Sequence, residues 1–223
     1  DKKEAVKYYK MSADKGNVSA MNNYGRMLEN GEGIEMNKEE ALKYYKMGLD
    51  KGNFAAMDNY ASMLNKGEGI EMNKEEAAKY CKMAADNGNE SAIIHYALMI
   101  QNGDVKPNDP DEMTKYFMLL IDKGNTEAML KYAEALKQGK GVQKNKKEAL
   151  NYFKMAGDKG DLEGYFNYAL MLYTGNGVEM NKREAYKYFT IASDKGHSLS
   201  MVYKFKYLQN IDEPASDNND DDD

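Results

Sequence analysis

At 223 residues the chain has length for one or two ordinary domains, and with 30% charged residues it holds no apolar run near the roughly 18 residues a membrane span needs. Its single cysteine, Cys81, excludes an intrachain disulfide and fits a reducing, cytoplasmic setting. The net charge of −6 is unevenly spread: residues 211–223 carry seven acids and no base, whereas residues 1–210 set 31 basic against 30 acidic side chains, too even a balance for a phosphate-driven nucleic-acid surface.

Residues 1–14 place Ala5, Tyr8, Tyr9 and Ser12 at helical spacing, and Lys15-Gly16 closes the segment. The same pattern returns 36 residues later as Ala41, Tyr44, Tyr45 and Gly48, closed by Lys51-Gly52. The opening segment therefore reads as the second helix of a unit whose first helix would precede Asp1, as in a piece of a longer protein. Residues 17–52 form the first complete unit. Asn17 suits an N-cap, and Ala20, Met21, Tyr24, Met27 and Leu28 make a helical apolar stripe. Gly31-Glu32-Gly33 stops that helix, with glycine supplying a positive φ. Asn37 then caps a second helix whose first turn carries Glu39 and Glu40, where the helix dipole favours acids.

The Lys-Gly punctuation recurs on a fixed ruler at residues 15–16, 51–52, 123–124, 159–160 and 195–196, with Asn87-Gly88 in the remaining slot. Such a ruler specifies an array of like helix pairs, because each unit buries its apolar face only against its neighbours. Columns hold through the array: Tyr24, Tyr60, Tyr96, Tyr132 and Tyr168 in first helices, Tyr44, Tyr80, Tyr116, Tyr152 and Tyr188 in second helices. Small residues fill two further columns, Ala20, Ala56, Ala92, Ala128, Gly164 and Ser200, and Gly25, Ala61, Ala97, Ala133 and Ala169, as close helix approach requires. The third unit departs in its loop, Gly103 to Pro110, where the second glycine is gone; Asp109 is expected to cap the following helix and Pro110 to open it. Ser198–Gln209 reads as a first helix without its second, and residues 211–223 are expected to be disordered.

The motif formed by Ala20, Tyr24-Gly25, Gly31-Glu32-Gly33-Ile34, Asn37, Ala41, Tyr44-Tyr45 and Lys51-Gly52-Asn53 resembles the Sel-1-like repeat family, relatives of the tetratricopeptide repeats. The resemblance runs over residues 1–210. It implies an all-α, right-handed α-solenoid of antiparallel helix pairs with 36-residue repeats, acting as a scaffold or adaptor. Leu28, Leu64, Leu136 and Leu172 stand where the family often has tyrosine, with tyrosine one turn earlier; this reads as a compensated swap in a shared core. The family's secreted, cysteine-rich branch is excluded by the single cysteine. The resemblance alone implies the lumen of the endoplasmic reticulum as an alternative compartment, which glycan on the sequons at Asn17 or Asn89 would support.

No catalytic constellation emerges. His95 and His197 lie in different repeats, and Cys81 replaces an aromatic in the column Tyr45, Phe117, Phe153, Phe189, so it is expected to be a core thiol. No Cys/His pair has metal-ligand spacing along the chain. The Gly-x-Gly loops follow helices rather than strands and read as caps rather than phosphate cradles. No cofactor, metal or small-molecule substrate is expected. A protein or peptide partner is. Two neighbouring first-helix columns vary from repeat to repeat: Asn22, Asp58, Ile94, Leu130, Phe166, Val202, and Asn23, Asn59, His95, Lys131, Asn167, Tyr203. Adding Leu98, Glu134 and Leu170 one turn on gives an expected apolar groove over repeats three to five, rimmed by His95, Lys131, Glu134 and Asn167. The competing expectation is that the same residues pack between repeats. A second function class, a rigid structural element of a larger cytoskeletal or membrane-associated assembly, would contact partners along the other side of the array.

Overall fold

A computed structural model describes residues 1–107 and 109–209; the acidic stretch 211–223 lies outside them. Among the described residues there are twelve α-helices and no strand. The chain forms two compact units, Asp1–Leu120 and Ile121–Asp223. The first holds α1 (Lys2–Asp14), α2 (Val18–Asn30), α3 (Lys38–Leu49), α4 (Phe54–Lys66), α5 (Lys74–Asp86), α6 (Glu90–Asn102) and α7 (Glu112–Ile121), the last ending at the boundary. The second holds α8 (Thr126–Gln138), α9 (Lys146–Asp158), α10 (Leu162–Thr174), α11 (Lys182–Asp194) and α12 (Ser198–Gln209).

The helices start and stop where the sequence places caps. The Asn17 side chain accepts from the Ala20 amide at 2.8 Å and Asn37 from the Glu40 amide at 2.9 Å, satisfying amides that have no partner within the helix. Gly31 sits at φ 67° and closes α2 in the left-handed conformation. Gly33, at φ 72°, has a further duty: a Cβ there would come within 2.7 Å of the Lys2 backbone. The loop is thus pressed against the start of the preceding second helix, and Lys2–Glu32 at 3.1 Å, Lys38–Glu68 at 3.2 Å and Lys74–Asp104 at 2.6 Å repeat across the same joint. The Gly-x-Gly motif joins one repeat to the next.

Inside each repeat the two tyrosine columns meet edge to face, with ring centroids 4.6 Å apart for Tyr24–Tyr44, 5.6 Å for Tyr60–Tyr80, 5.5 Å for Tyr96–Tyr116, 5.1 Å for Tyr132–Tyr152 and 4.8 Å for Tyr168–Tyr188. The small columns are buried, Ala56, Ala92, Ala128 and Ser200 completely, and Leu28, Leu64, Leu136 and Leu172 share the core as the swap requires. Successive second helices are tied by a recurring polar group. The Tyr44 hydroxyl donates to Asp14 at 3.1 Å and accepts from Lys10 at 3.3 Å. Tyr116 repeats this with Asp86 and with Lys82, the latter at 3.0 Å.

The third repeat differs from expectation at its second helix. The Asp109 carboxylate accepts from the Asp111 amide at 2.9 Å, and the Glu112 amide donates to the Asp109 carbonyl at 3.0 Å. This local turn holds Pro110 and Asp111 outside the helix, so α7 begins at Glu112 rather than at the proline.

Candidate interaction surface

The two variable columns are explained by how successive first helices meet. Asn59 Nδ2 donates to Asn22 Oδ1 at 2.8 Å, His95 Nδ1 lies 2.8 Å from Asp58 Oδ1, and the rings of Phe166 and Tyr203 meet edge to face at 5.7 Å. Each pair is 37 residues apart: a residue in one column packs against the following position of the next repeat. Ile94 is 6% exposed and Phe166 7%, so neither offers an open groove wall. Phe166 is enclosed by Phe189 at 6.0 Å, His197 at 5.1 Å and Tyr203, which itself stacks on Phe189 at 5.0 Å.

The other candidate residues remain at least partly accessible. On α6 of the first unit, His95 is exposed and Leu98 half-buried. In the second unit Lys131 is exposed, while Leu130, Glu134, Asn167, Leu170 and Tyr203 are half-buried. Glu134 pairs with Lys137 on its own helix, and Asn167 Nδ2 turns back to the Glu163 carbonyl and carboxylate, both at 2.9 Å. Leu98, Leu130 and Leu170 are the partly accessible apolar candidates, and Lys131 is an exposed cationic one.

Two clusters were not foreseen as such. Cys81 is buried, as its aromatic column predicts, but Asp58 and the exposed His95 lie beside it, with one ligand-capable atom of each residue within 4.8 Å of the others. Spacing along the chain hid this group; the 37-residue offset seen at Asn22 and Asn59 is the signal that would have found it. Burial, then the Asp58 charge, pushes the Cys81 thiol well above its ordinary range. In the second unit His197 Nδ1 lies 2.8 Å from Ser200 Oγ, and His197 Nε2 lies 3.2 Å from Glu163. Despite the resemblance of Ser-His-Glu to a hydrolytic triad, the Ser200 side chain is fully buried and its amide donates to His197 Nδ1 at 3.2 Å. His197 occupies the cap position held by asparagine or aspartate in the other repeats. The two sequon asparagines are caps as well, Asn17 of α2 and Asn89 of α6.

Methionines recurring every 36 residues on second helices are exposed in the first unit: Met11 at 47%, Met47 at 41% and Met83 at 49%. Among the described residues no helix is long and apolar enough to cross a membrane.

The profile of the Sel1 repeat family matches residues 1–17, 18–53, 54–89, 126–161 and 162–197. Residues 90–125, the repeat with the altered loop, fall between the matched segments. Among solved structures, a protective antigen of uropathogenic Escherichia coli displaying an SLR fold is similar with a TM-score of 0.77 and 23% identity, over 96% of this chain and 46% of its own. The present chain thus spans less than half of that relative. A Sel1 repeat protein from Oxalobacter formigenes is similar with a TM-score of 0.71 and 25% identity, over 85% of this chain and 76% of its own. No match was found among curated proteins.

Proposed function

Because the chain belongs to the Sel1 repeat family, whose members generally act as protein–protein interaction scaffolds, we propose that it is a non-catalytic adaptor that binds a protein or peptide partner through its first helices. One observation carries this reading. The tyrosines, glycines and capping asparagines that recur are consumed by packing, which leaves function to the residues that vary: Leu98 in the first unit, and Leu130, Lys131 and Leu170 in the second. Half-exposed leucines beside a lysine suit an apolar peptide with an acidic flank. Burying two or three such side chains contributes about 1.5–3 kcal/mol each, less the cost of ordering a peptide, which corresponds to micromolar affinity.

The test is affinity capture from native lysate with the parent chain and a Leu130→Asp, Lys131→Glu, Leu170→Asp variant that retains its helical circular dichroism. Selective loss of a partner by the folded variant supports the reading; equal capture by both chains removes the first helices of the second unit from the binding site. The exposed Met11, Met47 and Met83 favour a second reading, in which the repeat array is a rigid element of a larger assembly and contacts run along second helices. Met47→Glu would then release the partner while the first-helix variant would not.

A further inference from the structure

The aromatic column of the second helices has a partner on the first helices. Tyr45 donates its hydroxyl to Glu29 Oε2 at 2.6 Å, Lys137 lies 5.7 Å from the Phe153 ring centre, and Tyr173 meets Phe189 at 6.2 Å. In the second repeat the corresponding residues are Asn65 and Cys81. Cysteine is far smaller than the ring it replaces, and beside it lies a pocket of about 200 Å³, open on one side, lined by Asn65, Cys81, His95 and Leu98 among others. The donor that Tyr45 supplies in the first repeat is missing, and Asn65 Oδ1 is buried with no hydrogen-bond partner. A cavity with an orphaned carbonyl oxygen is a place prepared for a polar occupant.

We infer that the cluster of Asp58 on α4, Cys81 on α5 and His95 on α6, the last two of which line this pocket, is a binding site for one divalent transition-metal ion of the zinc class. The donor set fits: thiolate, imidazole and carboxylate are the zinc ligands, and one thiolate with one carboxylate matches the two positive charges, so the loaded site is neutral inside a buried seam. The distances bracket what is needed. Tetrahedral zinc sets its ligand atoms about 3.3–3.6 Å apart. Here Cys81 Sγ lies 3.7 Å from Asp58 Oδ1, His95 Nδ1 lies 2.8 Å from the same oxygen, and all three donors fall within 4.8 Å. The exposed His95 ring is the member able to adjust. The cavity has room for water as a fourth ligand, and Asn65 Oδ1 offers that water an acceptor. As the sulfur–metal bond forms, the Cys81 thiol proton, now directed at Asp58 and at the Ala92 carbonyl 3.4 Å away, passes to solvent. No electron changes hands. No other pair of the two variable first-helix columns joins a carboxylate to an imidazole, the positions being Asn22 and Asn59, Ile94 and Lys131, Leu130 and Asn167, and Phe166 and Tyr203, so the site belongs to this one junction and cross-braces three consecutive helices.

The experiment uses the whole chain, reduced and stripped with chelator, titrated with Zn2+ by calorimetry and with Co2+ by absorption. The expected result is one-to-one uptake with proton release, a thiolate-to-cobalt charge-transfer band, and a higher unfolding temperature with metal. Ca2+ and Mg2+, which select all-oxygen shells, give no such uptake. Cys81→Ser removes the band. His95→Gln, a change at an exposed side chain that leaves the core intact, weakens binding by about a hundredfold or more. Absence of uptake overturns the proposal. So does uptake that lacks the thiolate band or is unchanged by both substitutions, which would place the ion on the acidic residues 212–223.

Discussion

Gly164→Ala is the substitution that best separates local propensity from packing. Every other repeat has alanine or serine at this position, and glycine inside a helix is about 1 kcal/mol less favourable than alanine. Repeat consensus and propensity therefore both predict stabilisation. The structure predicts the opposite. A Cβ on Gly164 would lie 2.5 Å from the Gly157 nitrogen, 2.6 Å from the Phe153 carbonyl oxygen and 2.9 Å from the Ala156 Cβ. The first two are helix backbone and cannot rotate away. Gly157 is a glycine in turn because its own Cβ would fall 2.2 Å from the Tyr165 ring. Overpacking costs about 1–3 kcal/mol, and with backbone as the obstacle the upper end applies. Subtracting the propensity gain leaves a net loss of about 2 kcal/mol, or roughly 4–8 °C in Tm for a chain of this size. Thermal unfolding followed by far-ultraviolet circular dichroism measures it. Ala128→Gly, at the equivalent and fully buried position of the preceding repeat, should also destabilise, by about 1 kcal/mol. A Gly164→Ala chain as stable as the parent, or more so, would refute the close approach of α9 and α10.

Burial is the first cause that raises the phenols of Tyr24, Tyr44, Tyr60, Tyr96, Tyr152 and Tyr116, the last to about 12 from an ordinary 10. A raised folded-state value means that this stability is intact below pH 10 and is lost as pH rises through 10 to 12. Tyrosinate absorbance should therefore rise together with loss of helix, and free titration of all the tyrosines near pH 10 in a folded chain would contradict it. Asn37→Ala removes the acceptor of the Glu40 amide and should cost about 1 kcal/mol in chemical denaturation, whereas Asn37→Asp should be nearly neutral. Gly33→Ala must hold a side chain at φ 72° against the Lys2 backbone, and should cost at least about 1–2 kcal/mol by the same assay.

Much of the fold was legible because a repeat states each rule several times. Tyr24 and Tyr44 taken alone are two aromatics; five such pairs at one spacing identify a packing column, and all five meet edge to face. The α7 start was misread because Asp109 can bond to the Asp111 amide or cap a helix at Pro110, and the pattern alone does not rank the two. The candidate surface was legible only in part. Exposure of a position between two helices depends on how deeply the helices interlock, and that buried Ile94 and Phe166 while leaving Leu130 and Leu170 partly open.

The amino-acid sequence by itself determined the helix pairs, their caps, the family and the identity of the columns, because these follow from local periodicity and from residue types that favour one backbone conformation. Only the tertiary structure decided which columns face each other. Asp58, Cys81 and His95 stand in three helices of two repeats, and the 37-residue spacing of Asp58 and His95 gains its meaning only from how successive first helices pack. Their meeting results from the offset between neighbouring repeats, together with the cysteine that stands in a column of rings.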